Sequence, residues 1–110
     1  MHLQVSTEPV GDATVVRAVG ELDLHTAPAL QTELDTVIEA RPRLLVVDLS
    51  GVEFMDSTGL SVIVSAVAAL RATAGELRVV SASDRITKVF TLTGVDQQVG
   101  LFATVDEAVG

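Results

Sequence analysis

The spacing of hydrophobic residues changes abruptly in the middle of the chain. Leu44–Val47 is an uninterrupted apolar run, typical of a strand buried on both faces. From Leu60 to Leu70 the apolar residues recur every three or four positions, which predicts an amphipathic helix. The turn-rich segment between them, residues 48–58, holds Ser50-Gly51 and Asp56-Ser57-Thr58 and is predicted as a loop. This part of the chain therefore predicts a buried strand, a loop and a helix.

The remaining segments alternate between strand-like and helix-like patterns. Strands are predicted at residues 3–5, 14–19, 76–81 and 99–102, helices at 26–40, 60–75 and 83–94, a helical turn at 105–109, and loops at 8–12 and 20–25. The order β β α β α β α, with a short final strand and helix, predicts an α/β fold with a mixed β-sheet covered by helices. A chain of 110 residues fits one domain, residues 1–110. Loops that follow parallel strands gather at one sheet edge, so loops 20–25 and 50–59 are predicted to meet.

Composition and charge narrow the classes of function. The formal net charge is −8, which argues against nucleic acid and favours a protein partner with a basic surface. The chain has no Cys, and no apolar run approaches the roughly 20 residues of a membrane span. The first residues lack the pattern of a secretory signal, so the expected location is cytoplasmic.

The triplet Asp56-Ser57-Thr58 immediately precedes the central helix and is the candidate functional site. Taken alone it is a helix cap, since Asp, Ser and Thr are favoured there, and most such triplets do nothing else. A helix N-terminus also accommodates phosphate, because its N–H groups are unpaired and its dipole end is positive. The same segment brings Phe54 and Met55, which we expect to anchor the loop in the core.

Several other interpretations stay open at this point. Asp23, Asp48 and Asp56 are possible metal ligands, although no supporting His or Glu spacing is present. His25 is a conceivable base for Ser57 in a small serine hydrolase, but the sequence has no oxyanion-hole motif. Asp56 as a receiver-type phosphoacceptor would require an acidic pair after the first strand, which is missing. On the helix after Ser83, the side chains of Arg85 and Lys88 are either solvated or contacted by a partner protein. We identify no cofactor site in the sequence.

The longer string DLSGVEFMDSTGL, residues 48–60, resembles the signature of bacterial anti-sigma factor antagonists, the single-domain STAS proteins. In that family the pattern is a strand, an F-[ML]-D-S-[ST]-G-L loop and a helix. Residues 20–23, GELD, followed by Thr26-Ala27, resemble the family's other characteristic loop, and the spacing between the two loops also matches. The order of elements agrees over nearly the whole chain. One departure is Ser61, where members often carry a second Gly.

The resemblance implies a phosphorylation-controlled binding module without enzymatic activity. Such antagonists bind an anti-sigma factor that is also a serine kinase with a histidine-kinase-like ATP fold, and binding frees the sigma factor for transcription. The kinase phosphorylates the serine after the Asp, here Ser57, and the phosphorylated antagonist dissociates from the kinase. A PP2C-type phosphatase restores the unphosphorylated antagonist. The partner-binding residues implied near Ser57 are Glu21, Asp23, His25, Asp56, Thr58 and Gly59.

Within the same fold, a second hypothesis is a STAS module in a stressosome-like scaffold or a transporter-associated assembly. For the anti-sigma factor antagonist hypothesis we expect no metal, no cofactor, no nucleic acid and no membrane contact. We expect a monomer, with a dimer left open.

Overall fold

A five-stranded sheet organises the structure, a computed structural model that describes residues 2–110. The strands are β1 (Leu3–Val10), β2 (Ala13–Leu22), β3 (Leu44–Met55), β4 (Glu76–Val80) and β5 (Gly100–Phe102). The helices are α1 (Ala27–Glu39), α2 (Ser57–Arg71), α3 (Asp84–Thr93) and α4 (Val105–Val109), with a 3-10 turn at Val95–Gln97.

The strands lie in the sheet in the same order as in the sequence, β1-β2-β3-β4-β5. Strand β1 is antiparallel to β2, as two strands joined by a tight turn must be, and the remaining neighbours are parallel. Each parallel connection contains a helix, which is the crossover that parallel pairing requires. The predicted mixed sheet and the order of the elements are confirmed.

Alternation along β3 divides the core between the two faces of the sheet. Leu45, Val47 and Leu49 are buried under α1, α2 and α3 in the larger cluster. The intervening residues Leu44 and Val46 belong to a smaller cluster on the other face, which α4 covers with its own apolar side chains. Both faces of β3 are therefore buried over its first half, as the apolar run predicted.

The second half of β3 differs from the prediction. Residues 48–55 continue as a strand, so the predicted loop at 48–58 is wrong apart from its last residues. They remain extended because β2 also runs further than predicted, to Leu22, and pairs with them. Two shifts of register let β3 carry extra residues in this stretch, which obscures the alternation in the sequence. Similarly, β1 reaches Val10, and the first predicted turn shrinks to Gly11-Asp12.

Phe54, two residues before Asp56, also lies differently from the prediction. Met55 is buried in the larger core, as expected, whereas Phe54 is 41% exposed. Phe54 pairs with Glu21, and Met55 pairs with Leu22, so the two side chains of β3 follow opposite faces of the sheet. The expectation that Phe54 anchors the core is wrong.

Glycine ends one helix as predicted and does not end another. Gly94 takes the left-handed conformation (φ 81°) after α3, a C-cap geometry that suits glycine. Helix α2 stops at Arg71, earlier than the predicted Gly75, and Ala74 takes the left-handed conformation (φ 62°) instead. Gly75 is needed for space: a Cβ atom there would lie 2.8 Å from the carbonyl oxygen of Pro42.

A buried carboxylate, Asp48, marks the middle of β3. Its Oδ2 accepts a hydrogen bond from Arg17 Nε at 2.9 Å, and its Oδ1 accepts one from the Ser50 N–H at 2.9 Å. Arg17 also pairs with Glu8 at 3.0 Å, so one guanidinium serves two carboxylates. Burial raises the pKa of Asp48, but the hydrogen bonds from Ser50 and Arg17 outweigh it and lower the pKa below its ordinary value.

This ion pair predicts a specific dependence of stability on pH. Because the folded pKa of Asp48 is depressed, its contribution is fully present above the unfolded value of about 3.9 and is lost as pH falls through the folded value. Asp48→Asn should therefore lower the free energy of unfolding by about 1–3 kcal/mol at pH 7, and by less below about pH 4. Urea unfolding at several pH values measures the difference.

The exposed Asp12 on the β1–β2 turn supplies a control, since Asp12→Asn removes the same charge from the surface. Its effect should stay within about 0.5 kcal/mol at every pH. A loss of stability in Asp48→Asn that is the same at pH 7 and in acid would contradict the role given to this carboxylate.

Candidate functional site

The ends of β2 and β3 place two connecting segments side by side. Leu22 and Met55, the last residues of the two strands, are paired in the sheet. Just beyond them the Asp56 N–H donates to the Leu22 carbonyl oxygen at 3.2 Å, which extends the pairing by one more bond. The β2–α1 loop and the start of α2 therefore leave the same edge of the sheet, as the sequence predicted.

Asp56 caps helix α2 with its side chain. Its backbone is extended (φ −104°, ψ −174°), and its Oδ1 accepts hydrogen bonds from the N–H groups of Thr58 at 2.9 Å and Gly59 at 3.2 Å. The Leu60 N–H donates to the Asp56 carbonyl oxygen at 3.2 Å. One residue thus satisfies most of the first-turn donors, so the capping role predicted for Asp56 is what the structure shows.

Ser57 is the first residue of α2, and it is exposed. Thr58 is half-buried and Gly59 is buried, so of these neighbours Ser57 is the one that the fold turns outward. The Ser61 hydroxyl donates to the Ser57 carbonyl oxygen at 3.0 Å, and Ser61 itself is exposed. The first turn of α2 therefore accommodates Ser61.

Gly59 sets how closely α2 packs against the end of β2. A Cβ atom at Gly59 would lie 2.6 Å from Leu22 Cγ and 3.0 Å from Met55 Cγ, distances that real side chains do not tolerate without movement. Because α2 begins right on these two side chains, the Ser57 backbone is fixed relative to the β2–α1 loop. The spacing of residues in the sequence gives no hint of this contact, which depends on the tertiary fold.

The β2–α1 loop is held together by Asp23. Its Oδ1 accepts hydrogen bonds from the His25 N–H at 2.9 Å and the Thr26 N–H at 3.0 Å. The Thr26 hydroxyl accepts from the Asp23 N–H at 2.9 Å and donates to the Glu21 carbonyl oxygen at 2.7 Å. Thr26 occupies the N-cap position of α1, which begins at Ala27, one residue after the predicted start at residue 26, but its hydroxyl closes this loop and makes no capping bond to the helix.

The Asp23 carboxylate is a buried negative charge in this loop, with 4% of its surface exposed. Burial raises the pKa of Asp23, but the hydrogen bonds from Thr26 and His25 outweigh it, so the pKa lies below its ordinary value and the group stays ionised. Its second oxygen, Oδ2, is buried without a hydrogen-bond partner among residues 2–110.

The remaining predicted residues divide between the surface and the sheet. Glu21 is half-buried at the end of β2, and His25 is exposed in the loop. Within the described part of the chain, the His25 imidazole makes no hydrogen bond to Ser57, so the arrangement gives no support to a serine hydrolase. Asp48 lies in mid-strand with Arg17, away from Asp23 and Asp56 in the connections, and the structure does not gather these three carboxylates.

Comparison with known proteins identifies the family of this chain. Residues 4–108 match the STAS domain family. The anti-sigma-B factor antagonist of Staphylococcus aureus is 36% identical over 95 residues, covering 86% of this chain and 88% of that protein. The chain therefore belongs to the STAS domain family and to its anti-sigma factor antagonists, as the sequence resemblance indicated.

Solved structures extend the likeness to the fold. An anti-sigma factor antagonist from Mycobacterium paratuberculosis superposes with a TM-score of 0.92 at 33% identity, covering 98% of this chain and 92% of that one. The Bacillus antagonist SpoIIAA, at 27% identity, matches with TM-scores of 0.81 in its unphosphorylated form and 0.75 in its phosphorylated form. These comparisons cover 96% of this chain and 93% and 96% of the respective SpoIIAA chains. Among residues 2–110, no helix is long and apolar enough to cross a membrane.

The contact at Gly59 predicts a measurable cost of adding one methyl group. Gly59→Ala should lower the free energy of unfolding by about 1–3 kcal/mol through overpacking, because the clash with Leu22 exceeds the roughly 1 kcal/mol that Ala gains over Gly in a helix. Ser61→Ala, an exposed change in the same turn, should shift it by about 0.5 kcal/mol or less. Chemical denaturation compares the two, and equal stabilities would refute the close packing.

Proposed function

We propose that this chain binds an anti-sigma factor that is also a serine kinase, and that phosphorylation of Ser57 by this kinase ends the binding. By binding the anti-sigma factor, the unphosphorylated chain would free the sigma factor from it. The observation that carries the proposal is the position of Ser57, an exposed hydroxyl on the first turn of α2. The names of the relatives support the antagonist function.

A phosphate on Ser57 is compatible with the fold. The side chain is exposed, so the added group displaces no packed residue. It also stands at the positive end of the helix dipole, which favours negative charge. SpoIIAA provides a parallel, since this chain matches both its unphosphorylated and its phosphorylated forms. We therefore expect the modification to change the surface around Ser57 and to leave the fold in place.

The charges around Ser57 explain why the phosphate opposes docking. Phosphorylation adds about −1.5 to −2 charges at pH 7. The adjoining residue is Asp56, and the neighbouring loop contains the ionised Asp23, in a chain whose net charge is already −8. A partner that binds next to these carboxylates would also have to remove water from the phosphate on Ser57. Without a positive charge placed to pair with the phosphate, this desolvation costs several kcal/mol at a docked surface.

Ser57 is a better acceptor than Thr58 for a geometric reason. Thr58 is half-buried, and its N–H is bonded to Asp56 Oδ1. An incoming ATP γ-phosphate and a kinase active site need an approachable hydroxyl, which Ser57 offers. The phosphorylated chain would need a PP2C-type phosphatase to return to the binding form. We place this cycle in the cytoplasm, with the chain acting as a binding module without catalytic activity.

Two substitutions test the switch by titration calorimetry against the purified kinase. Ser57→Ala should bind like the unmodified chain, apart from any small local effect of removing the hydroxyl. Ser57→Asp should bind at least about thirtyfold more weakly, equivalent to about 2 kcal/mol, because it places a charge in the interface. Part of this loss should return at high salt if repulsion by Asp56 and Asp23 dominates.

Phosphopeptide mapping after incubation with kinase and ATP is the matched control for the position of the acceptor. One phosphate on Ser57, still present in Thr58→Ala, is the expected outcome. Equal affinities of the Ala and Asp variants at position 57, or phosphate on Thr58 in a chain that retains Ser57, would overturn the proposal.

A further inference from the structure

Exposed apolar side chains are concentrated near the candidate site. Among residues 2–110, the large hydrophobic residues that are exposed are Val19 (43%), Leu24 (66%), Phe54 (41%) and Leu92 (85%). The first three lie at the ends of β2 and β3 or in the loop beside them, whereas Leu92 stands alone on α3. Scattered exposed residues are ordinary, but a cluster beside a binding site indicates an interaction surface.

Val19 and Phe54 share the face of the sheet opposite to α1, α2 and α3. Ala18 and Leu22 are buried in the core under those helices, so alternation along β2 directs Val19 and Glu21 to the other side. Val19 pairs with Gly51, and Phe54 pairs with Glu21, which places these residues next to one another on that side. We call the group formed by Val19, Glu21, Gly51 and Phe54, together with the adjoining exposed residue Glu53, the open-face patch.

Helix α4 covers only the other half of this face. Its apolar residues pack on Ala13, Val15, Leu44, Val46 and Val80. The Arg17–Asp48 ion pair lies just beyond that cluster, and the open-face patch lies further along the same strands. Gly51 helps to keep the patch flat, since a Cβ atom there would stand 3.0 Å from Val19 Cγ2. A flat surface with an aromatic ring suits docking of another protein.

The charges of the patch select the chemistry of its partner. Glu53 is exposed and Glu21 is half-buried beside Phe54, and within residues 2–110 neither carboxylate forms an ion pair. The nearest cation along β2, Arg17, is already shared by Glu8 and Asp48. An apolar centre with an acidic border fits a surface that offers an apolar side chain flanked by Lys or Arg.

We infer that the open-face patch is a second docking surface for the anti-sigma factor kinase. The patch binds an apolar side chain of the kinase that is flanked by basic residues. This inference rests on the proposed function. A second copy of the chain fits less well, because a symmetric dimer through the patch would bring the Glu21 and Glu53 carboxylates of both copies together. Phe54 precedes Ser57 by three residues, so a partner that reaches Ser57 at the sheet edge needs only to extend around it.

The decisive comparison pairs two exposed hydrophobic residues. Phe54→Ser removes the centre of the patch, and Leu92→Ser removes a more exposed side chain on α3. By calorimetry against the purified kinase, Phe54→Ser should weaken binding about tenfold or more, while Leu92→Ser should stay within about twofold. Glu53→Lys should weaken binding as well, by an amount that shrinks as salt is added.

Unchanged melting temperatures must accompany these losses, and Val19→Lys supplies a second test if Phe54→Ser does not fold. Val19 is half-exposed, so a lysine there should be tolerated by the fold and should repel the basic partner, again by about tenfold. Wild-type affinity in folded Phe54→Ser or Val19→Lys would overturn the patch as a kinase-docking surface. Sedimentation that shows a dimer of the wild-type chain lost in these variants would assign the patch to a second copy and equally overturn it.

The two proposals fail in different ways. If the unmodified chain does not bind the kinase, or if Ser57→Asp binds as well as Ser57→Ala, the proposed function fails, and the patch loses its partner with it. If the unmodified chain binds and Ser57→Asp is released, but the patch variants bind normally, only the further inference fails.

Discussion

The pairing of β2 with β3 continues beyond the end of β4, and this extension positions every part of the site. Strand β4 pairs with β3 only as far as Asp48, whereas β2 accompanies it to Met55. The additional backbone bond from the Asp56 N–H to the Leu22 carbonyl oxygen fixes the start of α2 against the end of β2. This arrangement places Ser57 at the sheet edge and leaves Val19 and Phe54 partly exposed on one face of the two strands.

The groups that hold the site together are distinct from the group that is exposed to solvent. Asp56 and Asp23 use their carboxylates to satisfy backbone donors, and Gly59 provides the space for α2 to approach Leu22. Ser57 lies between these residues, yet its side chain contributes none of those contacts. Among the described residues, the hydrogen bonds that shape the site therefore do not involve the Ser57 hydroxyl.

Much of this arrangement follows from local sequence, and the exceptions have physical causes. The apolar run before Asp48 predicted a buried strand, and the triplet at Asp56 predicted a capped helix start, since both depend on residues close in sequence. The strand character of residues 48–55 was missed because it comes from pairing with β2, and the two register shifts conceal its alternation. Tertiary pairing also explains the exposed Phe54, which a hydrophobicity pattern assigns to the core.

We propose that a phosphate on Ser57 alters the surface of this chain and leaves its fold in place. Amide NMR spectra of the isolated chain before and after phosphorylation test this most directly, with no partner present. We predict that large shifts stay within the first turn of α2 and the β2–α1 loop, and that amide exchange in β3 and β4 remains as slow as before. Shifts spread through the sheet, or loss of protection in β3, would contradict the claim and show that the switch acts by remodelling the fold.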